Sequence, residues 1–350
     1  MPHPIEQAVR RFDRMGLGEL ELRQRIMKTS IPYTIIGGYL GAGKTTLLNN
    51  LLRNSGGLRL AVLVNDFGDI NIDADLVASH DGETMQLASG CICCSLADGF
   101  MMALNLVSKR GDQIDHVIVE ASGVSDPVKI GQYGAILRLD LDGVIVLADA
   151  EQIREKAANK YVGETVIRQL RGADLLVLNK VDLISAEELA DVRAWLVGLA
   201  PDARLVEATY GQVPMAVLFG VHGGPATAVA EQDEHHPDDH SHQDEYQTWS
   251  FTAKTPIHAA SLHAMLDSLP GGVLRAKGFI HLAEDPANRH LLQLVGRRWQ
   301  VTAGEPWGAV QAETRLVFIG LPGSIDPAGI GRQLTAAQRN VANQQGDIVT

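Results

Sequence analysis

Eight consecutive residues read Gly38-Tyr39-Leu40-Gly41-Ala42-Gly43-Lys44-Thr45, the pattern G-x-x-x-x-G-K-T. An apolar run, Thr34–Ile36, precedes them, and a leucine-rich segment, Thr46–Leu52, follows. A strand, a glycine loop and a helix in this order bring backbone N–H groups together around phosphate oxygens, and the helix N-terminus adds a favourable dipole. The sequence therefore predicts a phosphate loop at the start of an α/β domain.

Each polar residue of this loop has an expected role. Lys44 would neutralise the β- and γ-phosphates, and the Thr45 hydroxyl would bind Mg²⁺. We therefore assign both to the catalytic machinery. The predicted nucleotide contacts from this region are Gly38, Gly41, Ala42, Gly43, Lys44, Thr45 and Thr46.

A second motif, Asn179-Lys180-Val181-Asp182, follows the apolar run Leu175–Leu178. The Asp182 carboxylate can accept hydrogen bonds from N1–H and the exocyclic amine of guanine, whereas adenine offers an acceptor and no amine there. A polar site left unpaired by the wrong base can reject it by roughly 10⁴-fold. Lys180 would pack along the base and Asn179 would brace the loop, so the sequence predicts GTP as the ligand. The later turn Ala208–Gly211 either closes over the base or is an ordinary turn.

The strand predicted over Asp115–Glu120 ends in an acid. Glu120 would hold Mg²⁺ through water or orient the attacking water, and the alternative is a solvated carboxylate at a strand end. Asn65–Asp69 is predicted to be the first nucleotide-sensitive switch. Asp126 belongs either to the second switch or to a simple Asp-Pro turn.

Short apolar runs alternate with longer amphipathic stretches from Tyr33 onward, which is typical of strands buried on both faces of a mostly parallel sheet. A helix is predicted over Pro256–Leu269, with Trp249 and Phe251 in an alternating strand before it. The predicted fold class is α/β, a P-loop NTPase domain followed by a small α+β C-terminal domain. The predicted strands are Thr34–Ile36, Leu60–Val64, Val117–Val119, Val144–Leu147, Leu175–Leu178 and Leu205–Val206, then Val273–Leu282, Leu291–Val295 and Leu316–Ile319.

The predicted organisation has five parts. Residues 1–30 form an N-terminal extension, 31–222 the P-loop GTPase domain, 223–246 an acidic His-rich linker, 247–335 the C-terminal domain and 336–350 a tail. The linker carries His235, His236, His240 and His242, which act either as a low-affinity metal collector or simply as part of a solvated segment.

Composition excludes several classes of protein. The 42 acidic residues outnumber the 30 basic ones, and the net charge of −12 argues against a general nucleic-acid binder. Apolar runs such as Val144–Ala148 are too short to cross a bilayer, and the N-terminus lacks the apolar region of a secretory signal. We therefore expect a cytoplasmic protein with no membrane partner.

All three cysteines lie within four positions, as Cys91, Cys93 and Cys94. Three clustered thiolates suit Zn²⁺ or Cu(I), and with an added carboxylate also Co²⁺ or Fe²⁺. The remaining position must come from a carboxylate, a histidine, a water or a partner's ligand, and an incomplete set is what a transfer site needs. The alternative is a trio of small buried side chains.

Together these residues resemble the CobW-type GTPase family of P-loop metallochaperones and metal-insertion proteins, over about residues 32–335. This chain has Asp66, a further candidate metal ligand, where the family usually has Glu. It also has Asp69 where the family often has Glu, and each side chain is one methylene shorter. The matching segments are Gly38–Thr46, Val64–Gly68, Ser89–Cys94, Glu120–Gly123, Asp126-Pro127, Asn179–Asp182, Arg275–Phe279 and Arg315–Gly320.

The resemblance implies a GTP-hydrolysing metallochaperone that binds Zn²⁺ through the cysteine motif and passes it to a client metalloprotein. Two alternatives stay open: a Co²⁺ or Fe²⁺ insertion GTPase for a metalloenzyme or corrin pathway, and a regulatory GTPase whose thiols sense redox state. The C-terminal domain would recognise the client or complete an oligomer, such as a homodimer.

Overall fold

The computed structural model describes residues 31–65, 107, 113–136, 139–220, 246–308 and 310–338. Elements are numbered within these ranges. Those before residue 221 are β1 (Pro32–Gly38), α1 (Lys44–Arg53), β2 (Leu60–Asn65), β3 (His116–Ala121), α2 (Pro127–Ile136), β4 (Asp140–Asp149), α3 (Ile153–Ala158), α4 (Gly163–Arg171), β5 (Leu175–Asn179), α5 (Ala186–Leu199), β6 (Arg204–Ala208) and α6 (Met215–Phe219). Those after residue 245 are β7 (Gln247–Ala253), α7 (Ala259–Asp267), β8 (Val273–Ile280), β9 (Asn288–Val295), β10 (Arg298–Pro306), β11 (Thr314–Gly320) and α8 (Pro327–Ala337).

The first six strands form one parallel sheet in the order β2-β3-β1-β4-β5-β6. Each of the six apolar runs predicted in this region is a strand, so the α/β prediction is confirmed. Parallel neighbours need crossover connections, and within the described residues α1, α2, α4 and α5 lie in such connections. The carboxyl ends of all six strands therefore lie along one edge, which is where the phosphate loop begins.

Alternate residues of each strand enter two separate hydrophobic cores. On β1, Ile35 packs with α4 and α5 on one face, whereas Ile36 packs with α1 and α6 on the other. Both side chains are fully buried. Burial on both faces explains why these strands read as continuous apolar runs rather than as alternating ones.

The C-terminal unit is a five-stranded antiparallel sheet in the order β10-β9-β8-β11-β7. Helices α7 and α8 pack on one of its faces through Leu262, Leu266, Ile330 and Leu334. This is the small α+β domain that the sequence predicts.

Three details of this domain differ from the prediction. Helix α7 starts three residues after Pro256, because Ile257 forms a parallel bridge with Leu282 and the Glu284 carboxylate accepts the N–H of Ala259. Strand β8 stops at Ile280, before that bridge. Two further elements, β10 and α8, were not predicted at all.

The second sheet docks on the first unit through both apolar and charged contacts. Leu274 of β8 and Ile319 of β11 are buried in the same core as α6. Beside them the Arg275 guanidinium lies 2.7 Å from an Asp142 carboxylate oxygen, with both side chains almost fully buried. Asp142 is near the amino end of β4, so the C-terminal domain sits at the end of the sheet opposite the phosphate loop.

Among the helices within the described ranges, none has both the length and the apolar character that crossing a lipid bilayer requires.

Candidate nucleotide-binding site

The phosphate loop connects the end of β1 to the start of α1. Its first half is a tight turn in which the Ala42 N–H donates to the Tyr39 carbonyl at 3.1 Å. Gly41 and Gly43 have φ values of +81° and +101°, a region that side chains with a Cβ rarely adopt. The glycines of the motif are therefore required by the backbone path itself.

The lysine of the loop lies back across it. The Lys44 ammonium donates to the Gly38 carbonyl at 3.0 Å, and the residue is only 7% exposed. Gly38 also approaches β4 so closely that a Cβ there would lie 2.5 Å from the Leu147 carbonyl oxygen. This arrangement holds a positive charge against the backbone that is expected to surround phosphate.

Asn179, at the end of β5, joins the phosphate loop to the turn after β6. Its Nδ2 donates to the Ala42 carbonyl at 3.0 Å, and its Oδ1 accepts the Gly211 N–H at 2.9 Å. The residue is 2% exposed. A single buried amide thus holds the phosphate loop beside the turn Ala208–Gly211, one of whose two predicted roles is to close over the base.

Lys180 has a left-handed backbone, with φ of +65°, and its ammonium lies 2.6 Å from the Asp149 carboxylate. Asp149 is the last residue of β4, pairs in register with Asn179 and is 2% exposed. Its other oxygen accepts the Glu151 N–H at 3.1 Å. Because the ammonium is held at its tip, the aliphatic stem of Lys180 has a defined path along which a base could pack.

Asp182 lies in a single 3₁₀ turn, Val181–Leu183, immediately after Lys180. Its carboxylate is exposed, so a base can reach it. Two residues after this turn, the Ser185 side chain caps α5 by accepting the N–H of Glu188 at 3.3 Å. Hydrogen bonds from Ser185 lower the pKa of Glu188, which keeps this carboxylate charged at the helix start.

Glu120 lies on β3 opposite Ile36 of β1, close to the carboxyl edge of the sheet, and is 2% exposed. The strand continues to Ala121, one residue past the predicted end, so Glu120 is not the exposed strand-end acid of the alternative interpretation. Thr45 lies in the first turn of α1. A carboxylate and a hydroxyl are the hard oxygen donors that Mg²⁺ prefers, and these residues fit such an ion.

The segment after Glu120 is tied to α4 by one buried side chain. Gln169, which is 1% exposed, donates from Nε2 to the carbonyls of Gly123 at 3.1 Å and Ser125 at 2.7 Å. Asp126 caps α2 by accepting the Val128 N–H at 3.1 Å, and it lies 3.4 Å from Arg168 of α4. Helix α4 therefore sets the position of this segment relative to the sheet.

Apart from Thr45 and Glu120, the predicted metal ligands lie outside the described residues. These are Cys91, Cys93, Cys94 and Asp66, together with Asp69 and the linker histidines. Within the part of the chain that the structure describes, no group of three or more His, Cys, Asp and Glu side chains is placed to hold a metal ion.

Sequence reasoning did not identify Asp149, Lys156 and Gln169. Asp149 could have been found, because it ends the apolar run Val144–Ala148 just as Glu120 nearly ends its own strand. Lys156 donates to the Leu40 carbonyl at 2.9 Å, and Gln169 donates to the carbonyls of Gly123 and Ser125. Because the acceptors are backbone oxygens, these bonds produce no recognisable motif in the sequence.

Two family models match the chain in succession. Residues 32–207 match the CobW/HypB/UreG nucleotide-binding domain, and residues 246–338 match the cobalamin synthesis protein cobW C-terminal domain. The chain belongs to the CobW/HypB/UreG family. The resemblance predicted from the motifs is thereby confirmed, and nucleotide binding is the property that this family's domain description gives.

Several curated members of the CobW/HypB/UreG family are similar over most of their length. "Zinc chaperone CobW" of Sinorhizobium sp is 32% identical over 354 residues, covering 89% of this chain and 98% of that protein. "Zinc chaperone CobW" of Pseudomonas aeruginosa is 35% identical, covering 89% and 93%. "Zinc chaperone YjiA" of Escherichia coli is 30% identical over 307 residues, covering 83% and 94%.

Proposed function

We propose that this chain hydrolyses GTP and uses the cycle to bind Zn²⁺ and pass it to a client metalloprotein. The observation that carries the nucleotide half is the Asn179 amide, which bonds to both the phosphate loop and the turn at Gly211. The zinc half is supported by the relatives, since all three of those described above are named as zinc chaperones.

The phosphates would bind to the N–H groups of the loop from Gly41 to Thr46, with Lys44 balancing their charge. Asp182 would read the N1–H and amine of guanine, and Lys180 would lie along the ring. In this arrangement base and phosphates are held by segments that Asn179 keeps in fixed register. A nucleotide with the wrong base would leave the Asp182 carboxylate unpaired.

For hydrolysis, a water oxygen attacks the γ-phosphorus while the bond from that phosphorus to the β–γ bridging oxygen breaks, giving GDP and phosphate. Glu120, which is buried near the edge of the sheet, would accept a hydrogen bond from this water and so orient it. Lys44 stabilises the negative charge that grows on the bridging oxygen. Mg²⁺ would be held by Thr45, and it would add further charge neutralisation on the phosphates; if Glu120 does not orient the water, it would instead hold this ion through a water molecule.

The cargo ion would be held by the thiolates of Cys91, Cys93 and Cys94, with Asp66 as a further candidate ligand. Zn²⁺ takes thiolate ligands in tetrahedral sites, and three from this chain leave one position for a client's ligand. Zinc is preferred to Co²⁺ or Fe²⁺ because the thiolate number and the relatives' names agree on it.

Coupling between nucleotide and metal is supported by where the cysteine segment leaves the sheet. It follows β2, whose last residue, Asn65, pairs with Ala121 at the carboxyl edge that also carries the phosphate loop. A γ-phosphate that contacts this segment only before hydrolysis would bind one conformation better than the other. Inverting a 1:99 population needs about a 10⁴-fold preference of this kind.

We assign the other regions as follows. Residues 31–222 carry the nucleotide cycle, residues 223–246 link the domains, and residues 247–335 recognise the client or complete a homodimer.

Calorimetric titration with Zn²⁺ tests the proposal directly. The nucleotide-free, GDP-bound and non-hydrolysable-GTP-bound forms should differ in Zn²⁺ affinity by at least about tenfold. Replacing Cys91, Cys93 and Cys94 together by Ser should abolish tight Zn²⁺ binding. Lys44→Ala should bind Zn²⁺ tightly, but its Zn²⁺ affinity should no longer depend on the nucleotide. Equal dissociation constants in the three forms would refute the delivery cycle.

A further inference from the structure

The first half of the phosphate loop is a four-residue turn, Tyr39–Ala42, closed by the Ala42 N–H and the Tyr39 carbonyl. Gly41, its third residue, has φ of +81°, which is the value of a type II turn. A type I turn has the same ends and differs by a flip of the central peptide, here the bond between Leu40 and Gly41. Glycine at the third position tolerates both forms, so the loop needs another cause to hold one of them.

Lys156 supplies such a cause. It is on the short helix α3, and its ammonium donates to the Leu40 carbonyl at 2.9 Å. The same ammonium lies 5.4 Å from the centre of the Tyr39 ring and 3.9 Å from where a Cβ on Gly41 would be. In the part of the chain that is described, Lys156 forms no ion pair. The contacts of its ammonium are therefore with the first three residues of this turn, Tyr39, Leu40 and Gly41.

The peptide between Leu40 and Gly41 is planar and trans, so its C=O and N–H point in opposite directions. Holding the Leu40 carbonyl toward Lys156 therefore points the Gly41 N–H away from it. After a flip the N–H would turn toward the ammonium, and a carbonyl oxygen would replace it on the other side. An N–H attracts a phosphate oxygen and a carbonyl repels it, so the two forms of the turn differ in anion binding.

We propose that Lys156 is a positioning residue of the nucleotide site, which locks the Leu40–Gly41 peptide with its N–H facing a phosphate oxygen of the guanine nucleotide. The inference rests on the proposed function, because it takes the loop to be the phosphate site. The role differs from that of Lys44, which reaches the Gly38 carbonyl from the other end of the loop. Lys156 acts through the backbone and not by touching the substrate.

The test compares Lys156→Met with Lys156→Arg and with Lys160→Met in the full-length chain. Lys160 is a matched control, because it is exposed on the connection after α3 and its ammonium lies 4.6 Å from the centre of the Tyr161 ring. Lys156→Met should weaken GDP binding by about tenfold, the equivalent of one hydrogen bond to a charged group. Lys156→Arg should restore most of it, and Lys160→Met should bind as the unaltered chain does.

The spectroscopic readout is the Gly41 amide resonance in a ¹H–¹⁵N spectrum. It should shift strongly when GDP binds to the unaltered chain and to Lys156→Arg, and only weakly in Lys156→Met at saturating GDP. The preference for GDP over ADP should be the same in all four proteins, because the segment that reads the base is unchanged.

Two results would overturn this inference and leave the proposed function standing. In the first, Lys156→Met binds GDP as tightly as the unaltered chain and shows the same Gly41 shift. In the second, Lys160→Met loses as much GDP affinity as Lys156→Met does. The second would mean that nearby positive charge matters and the bond to Leu40 does not. If the unaltered chain binds neither GDP nor GTP, the proposed function itself fails, and the two failures are thereby distinguished.

Discussion

Asn179 is the side chain on which the geometry of the site depends most. It is buried and satisfies one backbone carbonyl and one backbone N–H from different segments, Ala42 and Gly211. Removing such a partner leaves buried polar groups without hydrogen bonds, which costs about 1–3 kcal/mol for each group. The amide also lies so close to Gly43 that a Cβ there would be 2.3 Å from its Nδ2.

That contact predicts a specific defect for Gly43→Ala. The new methyl group must displace Asn179, which breaks the link between the phosphate loop and the turn at Gly211. We expect GDP affinity, measured by calorimetry, to fall by at least about tenfold. The substitution also forces Ala into a left-handed backbone at a cost of about 1–2 kcal/mol, which urea unfolding would measure.

Gly57→Ala separates the two effects. Gly57 has a φ of +82°, similar to that of Gly43, but no atom lies within 4 Å of the position its Cβ would take. It should show the same order of destabilisation with unchanged GDP affinity. If Gly43→Ala also retained full affinity, the role of Asn179 in shaping the site would be wrong.

The residues of the site that sequence could identify are those whose chemistry demands a particular side chain. Gly43 is required by a positive φ, and Asp182 by the hydrogen-bond pattern of guanine. Lys156 and Gln169 donate hydrogen bonds to backbone carbonyls. Every residue type has such a carbonyl, so the identity of the accepting residue gives no sign of these bonds in the sequence. Their roles depend on how two distant segments pack, and only the structure provides that.

The strands of the parallel sheet were predictable because burial on both faces makes their central residues a nearly continuous apolar run, with polar side chains mainly at the strand ends. Strand β10 escaped prediction because none of its residues is buried: it is an edge strand with four half-buried residues followed by five exposed ones. Helix α8 contains Gly329 and Gly331, which weaken its helical signal, although Ile330, Leu334 and Ala337 are buried at helical spacing. Elements at the periphery of a core thus carry the weakest pattern.

Helix α4 gives a prediction about the segment after Glu120. Gln169→Leu keeps the approximate volume but removes the donor that holds the carbonyls of Gly123 and Ser125. The freed segment should open more often, so its amides between residues 122 and 126 should exchange with solvent at least about tenfold faster. Hydrogen-exchange mass spectrometry measures this, with α5 as an internal reference that should not change. Unaltered exchange in this segment would show that α4 does not restrain it.

Over the whole molecule, β4 connects two polar sites at opposite ends of the sheet. Asp149 at its carboxyl end holds Lys180 of the base-binding turn, and Asp142 near its amino end holds Arg275 of the C-terminal domain. Arg275 also donates to the carbonyls of Val217 at 2.7 Å and Leu218 at the end of α6. One rigid strand therefore joins the nucleotide site to the domain interface.

This interface could not be derived from the sequence. Arg275–Phe279 is distinguished in the sequence only by the family resemblance, and Asp142 falls in the stretch Asp140–Gly143, whose two acids and glycine are typical of an exposed strand start. Asp142 and Arg275 are 133 positions apart in the sequence and belong to different domains. Their pairing therefore leaves no local pattern in the sequence. The two side chains pair because leaving either charge buried without a partner, once the sheets dock, would cost several kcal/mol.

The buried pair makes stability depend on pH in a defined direction. Burial is the largest influence on Asp142 and raises its pKa, but Arg275, His116 and Lys277 outweigh it, so the net pKa lies below the ordinary value of 3.8. A carboxyl with a depressed pKa in the folded state stabilises the protein above the pKa of the unfolded chain, and this contribution is lost as pH falls through the folded-state pKa. Asp142 should therefore contribute fully at pH 7 and progressively less below about pH 4.

Asp142→Asn tests this, because it removes the charge and leaves Arg275 buried without its counter-ion. Urea unfolding at pH 7 should show a loss of about 3 kcal/mol, and the difference from the unaltered chain should narrow as pH is lowered toward 3. Asp202→Asn is the matched control, since Asp202 is 86% exposed and lies 3.9 Å from Arg297, and it should change stability by less than about 0.5 kcal/mol at either pH. A loss from Asp142→Asn that stays constant with pH would mean that the carboxylate acts through packing alone. In that case the charge of Asp142 would not stabilise the contact between β4 and Arg275 of the C-terminal domain.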